Sequence, residues 1–448
     1  MISKKTNIRM FQILKKNLGF SWFVLFLVIG IFTYQSYGIT WDADAQREIG
    51  QKNYEYVFLQ KTDGWERWTN KDYGAAFELP LYYAEHAFHL SDSRDVFVFR
   101  HFTVHFFFLI AGFFLFKLVD LLYDNKLLAS IGFLMLVLHP RIYGHSFFNS
   151  KDIPFLSMFI ITLYMTALAF HRKTLLNALL LGVSIALVVN LRIMGVMIPT
   201  LVIVMLLVDF LQEKRMVHNL KFGAIIFMVS GSVLYTIWPC LWGDPFRNIA
   251  LIFENMSKFR WEGNILFDGK LVSSTQLPWL YIPTWFVIST PIFYLLAGVF
   301  STVVLVVYFF KKPSSFLLNN LKRNNIVFAA TFLGPVVMVI VLHSVLYDGW
   351  RHLYFVYPSF ILLVMYGLNY FWEKGWSKFV IIPFVGVFAF VGWSMVKAFP
   401  NEHVFTNVMV SGNGDDYLRK QYELDYWGSL INRPWNISWK WILRMKFW

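Results

Sequence analysis

One cysteine in 448 residues, Cys240, excludes an internal disulfide and leaves the redox compartment open. Charge is scarce as well: Asp, Glu, Lys and Arg make up 15% of the chain against 57% hydrophobic residues, and mean hydropathy is +0.52. A water-soluble domain of this length could not hide so much apolar surface, so that class is excluded. Short segments of alternating polarity are missing, which excludes a membrane β-barrel. Low-complexity linkers and internal repeats are missing too. Acids are fewer than bases, 27 against 40, for a net charge of +13. That surplus needs no nucleic-acid partner, because much of it sits in short loops where orientation in a membrane explains it.

What is present is a series of apolar runs of roughly 20 residues, the length that spans a hydrocarbon core of about 30 Å. Eleven spans are read, near residues 19–38, 97–116, 126–140, 154–170, 174–191, 195–211, 221–239, 285–310, 326–346, 353–371 and 379–397. The chain is therefore expected to be an all-α polytopic membrane protein, with a transmembrane domain over residues 1–397 and a short C-terminal segment, 398–448. Lys4, Lys5, Arg9, Lys15 and Lys16 precede the first run. Lys117/Lys126, Arg172/Lys173, Lys214/Arg215/Lys221, Lys311/Lys312/Lys322/Arg323 and Lys374/Lys378 then fall on alternate loops. The positive-inside rule makes that side cytoplasmic, with the N-terminus inside and the C-terminal segment outside. The first run is long for a signal peptide and Tyr37-Gly-Ile-Thr40 is a poor cleavage site, so it is read as an anchor.

With this topology the basic side is bland and the outer side carries the unusual polar residues. The first outer loop, 39–96, begins with Asp42 and Asp44 and holds Trp65, Trp68, Tyr73, Phe77, Tyr82, Tyr83 and Phe88, a composition expected of interfacial helices. A tight loop at 139–153 carries Arg141, His145, Asn149, Lys151 and Asp152. Asp152 also has a plainer reading, as the N-terminal cap of the next helix. Arg351 and His352 close another tight loop beside Asp348, with which Arg351 could simply pair while snorkelling. Arg192 interrupts an apolar stretch, either as a buried functional charge or as the mark of a loop. Carboxylates at Asp42, Asp44 and Asp152 suit proton abstraction from a hydroxyl, or metal binding. Cations at Lys151, Arg141, Arg192 and Arg351 suit an anionic leaving group such as phosphate.

Four stretches carry a resemblance: Gly38-Ile-Thr-Trp-Asp42, Pro140 through Pro154, Asp348 through Pro358, and Tyr422-Glu-Leu-Asp-Tyr-Trp-Gly428. In this order they resemble the membrane-embedded GT-C glycosyltransferases. They look most like the bacterial relatives of protein O-mannosyltransferases and of the lipid A aminoarabinose transferase, the family 39-like enzymes. The resemblance implies a GT-C-like fold in the cell (inner) membrane, working on the outer, periplasmic face with inversion at the anomeric carbon. The donor would be a sugar on polyprenyl phosphate and the acceptor a lipid, glycan or protein. By the same resemblance Asp42 is the general base; relatives often have Asp-Glu there, whereas Ala43 and then Asp44 follow here, so either acid could serve. Asp152 would orient the acceptor or help bind a metal. Lys151, Arg141, Arg192, Arg351 and His352 would hold the donor phosphate, and His145 and Asn149 the acceptor or sugar. Some members use a divalent metal and others none, which leaves the cofactor open, with Asp42, Asp44 and Asp152 as candidate ligands. The main alternative is a transporter or flippase of a lipid-linked saccharide, although such proteins place their charges near the bilayer midplane. A third is a lipid-modifying transferase or polymerase of another family with a phosphate-linked donor.

Overall fold

The computed structural model describes residues 17–212, 216–257, 261–318 and 320–427. The chain begins with α1 (Leu18–Thr33), extended by a 3-10 turn to Ser36. Two helices follow within the first long loop, α2 (Ala43–Phe58) and α3 (Glu78–Ala87), where interfacial helices were expected. Next come α4 (Ser93–Tyr123), α5 (Lys126–Val137), α6 (Pro140–Phe148), α7 (Asp152–His171) and α8 (Leu175–Leu191). Then follow α9 (Met197–Gln212), α10 (Met216–Ile237), α11 (Pro245–Ser257), α12 (Tyr281–Ser289) and α13 (Ile292–Lys311). The last long helices are α15 (Asn320–Val341), after the short α14 (Pro313–Leu318), α16 (Tyr357–Glu373) and α17 (Lys378–Ala398). Side-chain caps punctuate the series: Asp92, Asn125 and Thr174 accept backbone N–H bonds at the starts of α4, α5 and α8.

Nine helices among the described residues are long and apolar enough to cross a membrane, or ten if a bent pair counts as one. The bent pair is α5 and α6, which meet at 65°. Pro140 supplies no N–H and holds His139 extended, so the helix stops and restarts in a new direction. The expected span at 174–191 is α8, a shorter apolar helix of 17 residues. Two expectations need correction. The region 285–310 is not one span but α12 and α13, parted at Thr290–Pro291. The tight loop 139–153 is mostly the helix α6.

Burial orders the bundle. The spans Asp152–His171 and Arg351–Glu373 are its centre, with 83% of the apolar window enclosed, whereas Leu18–Ser36 has 17%. The outer helices turn Phe32, Leu211 and Phe379 outward, each more than three-quarters exposed, as lipid-facing helices do. These are the features of a multi-pass helical membrane protein.

The loop after α11 holds an antiparallel hairpin that the sequence reading missed, β1 (Asn264–Phe267) and β2 (Lys270–Ser273). Its turn residues Asp268 and Gly269 both have positive φ, 51° and 72°, as a two-residue primed turn requires. After α17 the described part of the C-terminal segment folds back into the same end of the bundle: Asn407 donates its N–H to the Ile288 carbonyl at 2.7 Å, and Tyr37 donates its hydroxyl to Glu402 at 3.1 Å. The rest of that segment, whose Trp435, Trp439, Trp441 and Trp448 among Lys440, Arg444 and Lys446 have the composition of an amphipathic stretch lying on a membrane surface, is outside the described residues.

Candidate functional site

One end of the bundle gathers the start of α7, the end of α8, the approach to α16 and the turn before α2. The backbone there is arranged to expose side chains rather than to continue helices. Asp348 and Gly349 both adopt left-handed conformations, φ 56° and 64°, and this turn delivers Arg351 at the head of a 3-10 helix, Arg351–Val356. Arg192 follows α8 in an extended conformation.

Asp152 is the hub. Its Oδ1 lies 2.7 Å from Nη2 of Arg192, its Oδ2 lies 3.2 Å from Nη1 of Arg351, and Oδ2 also accepts from the Asn149 amide at 3.0 Å. The capping expected of Asp152 is done instead by Asn149, whose Oδ1 accepts the backbone N–H of Lys151 and of Asp152 at 3.2 and 2.8 Å. That leaves the Asp152 carboxylate free to face the arginines. Arg351 is fully enclosed and touches two further acids: Nε lies 3.0 Å from Asp348 and Nη2 lies 3.7 Å from Asp42. Neither Nε nor Nη2 closes a hydrogen bond, so two donor positions of a buried guanidinium are held only by charge. The ring faces of Tyr347, Trp427 and Tyr426 lie 4.6, 4.6 and 5.1 Å from its central carbon.

Lys151 places its ammonium 4.0 Å over the ring of Tyr73, which descends from the first long loop. Burial first, then the Arg192 charge, pushes the Lys151 ammonium down to about 7. Burial likewise raises the Asp348 carboxyl to about 6, against the opposing pull of Arg351. His352 turns its ring edge-on to Tyr347, centroids 4.8 Å apart. Asp42 stands one residue before α2 with its side chain 28% exposed, so it joins the charged cluster to open space.

The structure thus brings Asp42, Lys151, Asp152, Arg192, Arg351 and His352 together. It separates Asp44, which lies exposed in the first turn of α2. Arg141 borders the cluster at the Asp348–Gly349 turn, but its Nε donates to the Phe405 carbonyl at 2.9 Å and its guanidinium covers Trp285 at 4.8 Å. His145 is packed against Phe148, Tyr354 and Trp427, with Nδ1 3.3 Å from the Asn149 amide. Asn149 is completely buried and orients the Asp152 hub rather than facing open space.

Behind the cluster lies a buried ionic network absent from the sequence reading. Arg100, on α4, bridges Glu78 and Glu85 of α3, with 2.6 Å to Glu85, and Arg47 of α2 reaches Glu85 at 2.8 Å. Ser150 donates to Glu78 at 2.6 Å, so the network ties the first long loop directly to the Lys151–Asp152 segment. An arginine seven residues into an apolar helix was a readable signal for it, since intramembrane charge is costly without a partner. Gly74 completes the tie: a Cβ there would stand 1.6 Å from the Asn190 carbonyl oxygen, and Ala76 donates to the Asn190 side chain at 2.8 Å.

Among the described residues no group of three or more His, Cys, Asp or Glu side chains forms a metal-ligand set. The donor chemistry agrees: both oxygens of Asp152 are occupied by guanidinium and amide groups, and Asp42 faces a guanidinium. These residues do not fit a divalent cation.

Fold and site together define a multi-pass helical membrane protein with a charged, partly enclosed centre at one end of its bundle. Neither the protein-family models nor the curated proteins searched contain a match to the chain.

Proposed function

We propose that the chain is a membrane glycosyltransferase that moves a sugar from a polyprenyl-phosphate-linked donor to an acceptor hydroxyl or amine, with inversion. The observation that carries this reading is Arg351: a fully enclosed guanidinium whose Nη2 closes no hydrogen bond and lies 3.7 Å from a carboxylate that reaches open space. An acid poised beside a guanidinium nitrogen that closes no hydrogen bond suits a reaction that takes a proton on one side and releases a phosphate on the other.

In this mechanism Asp42 takes the proton as the acceptor oxygen or nitrogen attacks the anomeric carbon. The bond from that carbon to the phosphate oxygen breaks, and its electron pair leaves with the lipid phosphate. Arg351 and Lys151 receive the phosphate; Asp152 fixes Arg351 and Arg192 in place. No step is routed through a metal. The reading further takes the chain as GT-C-like with eleven spans in all, in a bacterial inner membrane, with a cytoplasmic N-terminus and the site on the outer face.

Mass spectrometry of envelope lipids, glycans and proteins from a deletion strain would identify the sugar and acceptor through the modification that disappears. Transfer by purified variants then tests the base. Asp42→Asn is expected to lose about 100-fold to 10,000-fold in rate, the usual contribution of a positioned general base, whereas Asp44→Asn stays close to wild type. Full transfer by Asp42→Asn would sink the mechanism and favour a transporter of the lipid-linked saccharide.

A further inference from the structure

The segment after the last membrane helix ends, within the described residues, in Tyr422-Glu-Leu-Asp-Tyr-Trp427, a stretch to which the mechanism above gives no task. Its course is closely specified. Phe267 of the hairpin pairs with Tyr422, Gly269 donates to the Gln421 carbonyl at 3.2 Å and Glu423 donates to the Leu266 carbonyl at 3.1 Å. Asp425 lies 3.4 Å from the His403 ring. The Trp427 carbonyl then accepts the N–H of Trp41, the residue before Asp42, at 3.3 Å. Anchored at both ends in this way, the segment lays Trp427, which is 3% exposed, and the half-buried Tyr426 over the guanidinium of Arg351.

Ring faces and hydrogen bonds use different parts of a guanidinium. Stacking occupies its π-face, while the N–H donors radiate in its plane. Ring contacts therefore fix a guanidinium without using its in-plane donors; in Arg351 Nη1 faces Asp152 and Nε faces Asp348, while Nη2 closes no hydrogen bond. We propose that Trp427 and Tyr426 are positioning residues that clamp Arg351 so that Nη2, its nitrogen farthest from an acid and without a hydrogen bond, forms the receptor for the phosphate of a polyprenyl phosphate. This rests on the reading of Arg351 as the phosphate holder. Through the Trp427 carbonyl and Trp41 the same segment also sets the distance between that receptor and Asp42.

The test is binding of decaprenyl phosphate to the full-length protein in lipid nanodiscs, with thermal unfolding recorded for every variant. Wild type binds and Arg351→Ala does not; if wild type fails to bind, or Arg351→Ala binds equally well, the phosphate reading itself is wrong. Given that contrast, Trp427→Ala is expected to weaken binding about tenfold, the size of a desolvated cation–ring contact, while Trp427→Phe stays within about threefold because it keeps a ring face. Wild-type affinity in Trp427→Ala, or equal losses in the Ala and Phe variants, would overturn the clamp while leaving the phosphate reading intact. Tyr426→Leu, on the half-buried ring, weakens binding about threefold. Unchanged affinity there overturns the proposal even where Trp427→Ala does not fold.

Discussion

Lys151 offers a pH test of the site whose size follows from its surroundings. Burial and Arg192 bring its ammonium down to about 7, so it is about half charged at neutral pH. A bound phosphate favours the charged form and returns the group towards its ordinary value of about 10.4. The sign follows: phosphate affinity is full about one pH unit or more below 7, where Lys151 is already charged, and falls as the pH rises and a proton must be taken up on binding. Over pH 7 to 9 the loss reaches about 50-fold for a site that accepts only the ammonium, from the ratio of neutral to charged lysine. The phosphate itself contributes little in this window, because its second ionisation lies near about pH 6. Arg351, held among carboxylates, keeps its charge throughout. Decaprenyl phosphate binding to nanodisc-embedded protein, titrated between pH 6 and 9, measures the slope. Lys151→Arg should bind with a nearly flat profile, and Lys151→Met weakly with no slope. A flat wild-type profile, or an unaltered slope in Lys151→Arg, would refute the assignment of Lys151 to the phosphate.

Removal of the Arg100 side chain by Arg100→Met leaves buried Glu78 without an ionic partner and Glu85 with Arg47 alone, and a cost of about 3–5 kcal/mol is expected from an orphaned buried charge. Thermal unfolding in detergent reads it, and an unchanged midpoint would show that the network carries no such strain. Gly74→Ala would force apart the loop and the end of α8, with a cost of about 1–3 kcal/mol for overpacking. Because Tyr73 rides on the same loop beneath Lys151, decaprenyl phosphate binding should weaken together with stability; weakened stability with intact binding would separate the loop from the site.

The parts of the fold that were readable in sequence are those set by local chemistry. Apolar runs of bilayer length marked the helices, and most boundaries fell within a few residues because the runs end in polar or capping residues such as Asp92 and Asn125. Breaks inside apolar sequence were harder. Thr290–Pro291 lies within a continuous apolar run, and nothing in average hydropathy distinguishes one span from two helices meeting at a proline. The hairpin at Asn264–Ser273 had a readable signal in Asp268-Gly269 between apolar residues, but a four-residue strand is too short for an alternation test to find.

At the candidate site, composition drew attention to residues that the fold gathers at one end of the bundle and left their geometry undecided. Asp42 and Asp44 are equivalent on paper; only the entry angle of α2 turns one towards Arg351 and the other to open space. Arg141 and Arg192 likewise looked interchangeable, and helix direction alone sends one to Trp285 and the other to Asp152.

The sequence by itself determined the class of molecule, a multi-pass helical membrane protein, and the approximate positions of most of its long helices. These depend on how each residue transfers between water and lipid, a property each carries locally. Which charges meet was decided only by the tertiary structure. Asp152 and Arg351 are 199 residues apart in the chain, and their pairing exists because three helix ends and a folded-back segment converge on a volume small enough to make charge partners of them.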